Sequence, residues 1–269
     1  WNNGGPYTVF FCLQTNVPFN QLSKNDGKTI SAYFDSKTVE IKVGISYVSM
    51  DQARRNIVAK GFSKQLKALR KQWNTMLGRV KYKGTGKEMR MFYTALYHTL
   101  LMPVDKTGEN PGGWNGPYYD DFYAIWDTYR TSFPLLMEYY PERAVAMINA
   151  LLGIYKHEGF MSDARSGDCN GRTQGGSNAE VVIAEAFARG LKGIDYDLAL
   201  EAMIKDAEVT PVDDEKEGRG GLAEYNRLGY VPYGIPRAGT RTVEYSYDDW
   251  CIAQVARGLG HEDLYHKYM

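Results

Sequence analysis

The residues best equipped for chemistry lie in one stretch, residues 117–133, PYYDDFYAIWDTYRTSF. Taken as a helix, it places Asp120, Tyr123, Asp127 and Arg130 at i, i+3, i+7 and i+10, along one face. Phe122, Ile125, Trp126, Tyr129 and Phe133 surround that stripe with apolar surface. Carboxylates, an arginine and aromatics together suit a polar pocket with a stacking platform. They equally suit a core helix whose Asp and Arg neutralise each other. A second acidic–aromatic cluster, EYSYDDW at residues 244–250, echoes the first. Carboxylates one or two turns apart on one helix approach a bound molecule from the same side. Acid and base on opposite faces of a reacting centre need a second element, so this stretch is one wall of a site.

The other reactive side chains add little. His98, His157, His261 and His266 are too scattered for a metal site. Cys12, Cys169 and Cys251 lie far apart without a CxxC pair, which argues against a zinc site or disulfide scaffold and leaves a single disulfide open. Gly175, Gly176 and Ser177 open a predicted helix where a phosphate could sit, but no strand precedes them and no P-loop lysine follows. The glycines fit better as places where backbone approaches a ligand or two helices pack closely. Residues 179–189 are apolar almost all round, which predicts a buried helix. Glu180 and Glu185 inside it need a partner or a role, and a structural partner is expected.

These residues must be positioned by a scaffold that changes character along the chain. Residues 1–49 are strand-like, with the run YTVFFCL, a turn signal at residues 25–28, and Val39, Ile41, Val43 and Ile45 alternating as a half-buried strand does. Ser49 is a candidate N-cap, and Phe62, Leu66, Leu69, Trp73 and Leu77 form an amphipathic stripe. From Glu88 the pattern is helical, with further helices expected at residues 141–156, 179–189, 195–209 and 240–260. The last is expected to turn Val243, Tyr247, Trp250, Cys251, Val255 and Leu259 inward. Residues 104–116 and 211–233 are predicted loops. No fixed-period repeat occurs, so a helical toroid or bundle is expected rather than a solenoid.

Composition narrows the partners. Of 269 residues, 32 are basic and 32 acidic, a balance that favours neither nucleic acid nor an anionic membrane. No apolar run reaches the ~20 residues that span a bilayer. The 21 tyrosines lean towards sugar-binding clefts as well as aromatic cores. WNNGGPYTVFF has neither a basic n-region nor an initiator methionine, as expected of a chain joined in mid-sequence.

FYTALYHTLLMP, YYDDFYAIWDTYR, HEGFMSDAR, NGRTQGGSNAEVVIAEAF and VEYSYDDWCIAQVARGLG, in this order, resemble glycoside hydrolase family 92, exo-acting α-mannosidases. The QGGSNA form resembles the fungal-type branch. VEIKVGISYVSMDQARRNI resembles the segment where that family's β-sandwich hands over to its helical domain. The resemblance implies a mostly α fold: residues 1–49 as the last strands of a β-sandwich, 50–85 as a helical linker, and 86–269 as roughly the first half of an (α/α)6 barrel. It also implies Ca2+-dependent, inverting release of terminal mannose from oligomannosides and N-glycans. Inversion uses an acid and a base about 6.5–9.5 Å apart, and Ca2+ takes oxygen ligands; its ligands are not identified in this sequence.

Trp126 and Asp127 match the family's IWD motif, which implies that they hold mannose, with Arg130 on the same face. Asp120, Asp121 and Glu244 are further candidates for the pocket wall, and Asp248 and Asp249 are expected to be structural. The family's acid and base segments are expected beyond Met269, so no catalytic acid or base is assigned. The implied partners are an α-mannoside glycan and the remaining C-terminal part of the same polypeptide, in a secreted or secretory-pathway protein. Two other classes stay open: another (α/α)6 glycosidase or lyase, and a non-catalytic carbohydrate-binding or scaffold protein.

Overall fold

A computed structural model describes residues 8–25, 27–171 and 174–269. The N-terminal WNNGGPY, Asp26 of the predicted turn, and Arg172 and Thr173 of the NGRTQGGSN segment lie outside the described residues. The chain divides into two compact units, Tyr7–Arg79 and Val80–Met269.

In the first unit, strands β1 (Phe10–Thr15), β2 (Gln21–Asn25), β3 (Thr29–Tyr33) and β4 (Ile41–Ser46) form two antiparallel pairs, β1 with β4 and β2 with β3. The predicted alternation in β4 is present, but its faces are reversed. Ile41, Val43 and Ile45 are 52–54% exposed, while Gly44 and Ser46 are buried. The reason is helix α1 (Met50–Arg55), which packs on β1 and β4. A Cβ on Gly44 would run into the carbonyl oxygen of the fully buried Ala53, so the missing side chain lets the helix lie directly on the strand. Ser49 caps α1 as expected, accepting from the Gln52 N–H at 3.1 Å. Helix α2 (Phe62–Leu77) carries the predicted stripe, with Leu66, Trp73 and Leu77 half-buried and Phe62 and Leu69 exposed.

The second unit is mostly helical. Helix α3 (Gly86–Thr99) opens on a capping box between Thr85 and Glu88 and buries Leu96. Strands β5 (Val104–Asp105) and β6 (Tyr119–Asp120) form a short antiparallel ladder. There follow α4 (Ile125–Thr128), α5 (Ser132–Tyr139), α6 (Pro141–Glu158), α7 (Ala179–Ala188), α8 (Tyr196–Glu208), α9 (Leu222–Leu228), α10 (Ala238–Gly258) and α11 (Glu262–Tyr268). Met147, Ile148 and Leu151 of α6, Val182 and Ile183 of α7, Met203 of α8 and Ile252 and Val255 of α10 make the core, each fully buried.

Two helical expectations need correction. Residues 211–233 contain α9 rather than loop alone. On α10, Cys251 and Val255 are buried as expected, but Val243, Tyr247 and Trp250 are 67%, 42% and 45% exposed, and Tyr245, Asp248 and Ile252 are buried in their place. The helix turns an aspartate inward because backbone N–H and amide donors await it there, as described below.

The largest correction concerns residues 117–133, which are not one helix. Asp120 pairs with Val104 in the ladder, and Asp121 and Ala124 have φ of +60° and +59°. Left-handed backbone cannot be continued as a right-handed helix, so α4 begins only at Ile125 and a new helix starts at Ser132. Asp120 and Tyr123 therefore do not share a helix face with Asp127 and Arg130.

Candidate functional site

The site is built where α4, the start of α7 and α10 meet. The N–H of Ile125 donates to the carbonyl of Asp163 at 3.0 Å, which fixes the first turn of α4 on the long loop before α7. Trp126 packs with Ala124 and Ala164 and is 7% exposed. Asp127 is exposed. Arg130 stacks its guanidinium 4.6 Å from the centre of the Tyr129 ring and donates from Nε to the Trp126 carbonyl at 3.3 Å. Its Nη2 donates to Glu244 Oε1 at 3.1 Å, and Glu244 Oε2 accepts from Asn178 Nδ2 at 3.0 Å. Trp126, Arg130 and Glu244 thus come together, with Asn178 behind them, while Asp127 stands exposed on the same turn as Trp126. Beside them a groove of about 620 Å³ runs between Tyr129, Val181, Phe187, Tyr247 and Trp250.

Beneath the surface the backbone of residues 176–178 is tied to α10 and to the loop. Ser177 N–H donates to Asp248 Oδ2 at 3.0 Å, and Asn178 N–H donates to Asp163 Oδ1 at 3.1 Å. A Cβ on Gly176 would overlap the Asp248 carboxylate, and one on Gly175 would press against Glu244 Cγ at 3.3 Å. The glycine pair therefore serves close approach to α10, one of the roles its sequence suggested. Asp248 already occupies the Ser177 N–H that a phosphate would have needed.

Arg219 ties this layer together from inside. It is fully buried, donating from Nε to Ser177 Oγ at 3.0 Å, from Nη1 to Asp249 at 2.6 Å and from Nη2 to Glu180 at 2.9 Å. Glu180 has the structural partner expected of it. Glu180, Asp206 and Asp248 surround this buried guanidinium, and they and Asp163 are all at most 3% exposed. Burial penalises their charged forms, so Asp163, Asp206 and Asp248 are held well above the usual carboxylate range. Burial also pushes Glu180 up to about 8, against the pull of Arg219.

A stability prediction follows from the sign of these shifts. Each acid keeps its proton in the fold at pH values where the unfolded chain has released it. Their contribution is complete below the ordinary carboxylate range and is lost as pH rises from about 4 towards 8. The melting temperature of the protein is expected to fall from pH 5 to pH 8, and Glu180→Gln to flatten that slope. Differential scanning calorimetry across this interval checks both; a melting temperature that rises with pH would contradict them.

Asp120 is not in the pocket wall. It is fully buried, with Oδ2 accepting from Lys106 Nζ at 2.6 Å and from the N–H groups of Gly167 and Asp168 at 3.0 and 3.2 Å. It clamps the long loop to β6. Asp121 accepts from Ser166 Oγ at 2.7 Å and borders a separate cavity of about 170 Å³ with His98, Met102 and Phe133. Arg165, also fully buried, donates to both oxygens of Glu158 at 2.6 and 2.7 Å and to Asn170 Oδ1 at 2.8 Å. Sequence reasoning missed Asp163, Arg165, Asn178 and Arg219. Asp163, Arg165 and Asn178 lie in family motifs on a long loop dense in Asp, Arg, Ser and Asn, whereas Arg219 follows the charge run at residues 213–217, which reads as a solvated loop.

All three cysteines are free. Among the described residues no group of three or more His, Cys, Asp or Glu side chains is placed to hold a metal ion. Both oxygens of Glu244 and both of Asp248 are committed to N–H donors. None of the described residues is assigned to the calcium implied by the resemblance. Among the described residues no helix is long and apolar enough to cross a membrane.

Comparison with known proteins identifies the family. Residues 50–269 match the model of the glycosyl hydrolase family 92 catalytic domain. The chain is 37% identical to a protein of Arthroderma benhamiae described as an uncharacterized secreted glycosidase, over 98% of this chain and 32% of that protein. An inverting family 92 mannosidase of Bacteroides thetaiotaomicron superposes with a TM-score of 0.88 at 30% identity, over 100% of this chain and 41% of the other. A family 92 α-mannosidase of the same organism gives 0.86 at 28% identity, over 99% and 40%, and has also been solved with mannoimidazole. The chain thus spans less than half the length of each of these relatives. With a matching family model over residues 50–269, the chain belongs to glycosyl hydrolase family 92.

Proposed function

We propose that the whole protein is an exo-acting, inverting α-mannosidase that releases terminal mannose from oligomannosides and N-glycans, and that this chain supplies one wall of the mannose pocket. The observation that carries this is the exposed Asp127 beside the Arg130–Glu244 pair, in a chain similar over its full length to an inverting mannosidase. The Asp127 carboxylate is suited to accept from two sugar hydroxyls, among the stronger hydrogen bonds available for recognition. The Trp126 indole stacks on the apolar face of the sugar ring, and Arg130 turns its remaining N–H groups to the sugar.

The proposed architecture places residues 1–49 at the end of a β-sandwich, 50–85 in a helical linker and 86–269 in roughly half of an (α/α)6 barrel. The acid and base of inversion are assigned to parts of the protein that this chain does not span. Calcium belongs to the proposal for the whole protein, with ligands from those same parts, and no step here is routed through it. Secretion is proposed in line with the description of the Arthroderma relative.

The test is mannose release from an aryl α-mannoside and an oligomannoside by the full-length protein, with and without EDTA. The β-anomer is expected first by NMR, and activity is expected to fall on chelation. Cleavage of a different aryl glycoside in preference would transfer the protein to another glycosidase class. Activity indifferent to thorough chelation would remove calcium from the proposal.

A further inference from the structure

We propose that Asn178 is a positioning residue: its side-chain amide sets the Glu244 carboxylate, which in turn holds Arg130 against the Trp126–Asp127 turn. Asn178 stands at the start of α7, where an asparagine ordinarily caps its own helix. Here it makes no side-chain cap bond. Its amide hydrogens go instead to α10, to Glu244 Oε2 at 3.0 Å and Asp248 Oδ1 at 3.3 Å. The side chain is fully buried, its own N–H is bound to Asp163, and the preceding Ser177 is held by Asp248 and Arg219. A side chain with an anchored backbone and both amide hydrogens engaged has one orientation.

The consequence is transmitted outward. Arg130 is half exposed, with 55% of its side chain in solvent, and a long guanidinium there loses rotamer entropy when held in one place. Glu244 holds it, and Arg130 Nε then binds the carbonyl of Trp126, the residue before Asp127. Three contacts in series cross from α7 to α10 to α4, so an error at Asn178 arrives at Asp127. Asparagine suits this post chemically. It supplies two N–H donors, to Glu244 and Asp248, without adding charge, whereas an ionised aspartate of the same shape supplies none and sets a negative group beside Glu244.

The kinetic arm of the test rests on the mannosidase reading; the structural arm does not. Full-length protein is compared with Asn178→Asp, Glu244→Gln and the double variant N178D/E244Q. In the double variant the introduced amide can donate to the introduced carboxylate while its carbonyl accepts from Arg130. Asn178→Asp is expected to lower kcat/KM on an aryl α-mannoside by about 100-fold, the scale of a 1 Å misplacement. Glu244→Gln is expected to lower it about tenfold and the double variant to return within tenfold of wild type, a rescue that a merely structural residue would not show. The crystal structure of Asn178→Asp is expected to show Arg130 parted from Glu244.

An unchanged kcat/KM in Asn178→Asp, or a double variant no better than that single, would overturn the proposal. Should Asn178→Asp fail to fold, an unchanged kcat/KM in Glu244→Gln overturns it alone. A wild type that cleaves no mannoside strikes the mannosidase reading, and the crystal structure then decides: Arg130 still seated on Glu244 in the variant refutes the positioning role.

Discussion

Arg219→Met is expected to destabilise the Val80–Met269 unit by about 3–5 kcal/mol, the scale on which removal of one partner breaks a buried ion pair. Methionine matches the arginine stem in length and keeps its packing over the Tyr245 ring, which lies 5.1 Å from the guanidinium carbon. What disappears is the buried positive charge bonded to Glu180 and Asp249, together with the donor to Ser177 Oγ. Glu180 then has no partner in a site that already penalises its charge. The cost is expected to grow as pH rises, because a higher pH asks more of these acids to ionise. Glu180→Gln in the same background should recover part of the loss, since an amide carries no charge to compensate. Urea unfolding at pH 5.5 and pH 7.5 measures all of this. A loss under about 1 kcal/mol at both pH values would mean that the buried arginine contributes only packing.

Asp127→Ala is expected to do the opposite: to leave stability intact and remove activity. The carboxylate is exposed, and exposed side chains away from caps and networks usually change stability by less than about 0.5 kcal/mol. If it accepts two charge-assisted hydrogen bonds from mannose, each is worth about 1.5–3 kcal/mol. Their joint loss corresponds to a fall in kcat/KM of about 10²- to 10⁴-fold. Steady-state kinetics of the full-length variant on an aryl α-mannoside, beside a thermal melt, tests both halves. A normal kcat/KM would show that Asp127 does not touch the sugar; a melting temperature lowered by several degrees would show that it belongs to the scaffold.

Elements with a strong local signal were legible in the sequence. Ser49 as a cap, the buried helix from Ala179, and the partnered Glu180 within it could be read because caps and apolar periodicity act over a few residues. The glycine pair at residues 175–176 was legible as a close approach, though not what would approach. Faces were less legible than elements. Both β4 and α10 place on the inside residues that hydropathy puts outside. In β4 a glycine admits a helix, and in α10 an aspartate meets donors from a loop more than 70 residues earlier.

By itself, then, the sequence determined the helical character, the family motifs, and the presence of Trp126, Asp127 and Arg130 in one short segment. Tertiary structure decided which acids stand together. Asp120 and Asp127 are seven residues apart, yet one clamps a loop through Lys106 and the other stands in solvent beside Arg130 and Glu244. Two left-handed residues between them, Asp121 and Ala124, turn the chain out of the helix that spacing predicted. Glu244 and Asn178 reach the site from 114 and 48 positions beyond Arg130, and Arg219 from 89 positions beyond it, on the inside. Such meetings depend on hydrogen-bond donors and charges brought together across the fold, and no local periodicity encodes them.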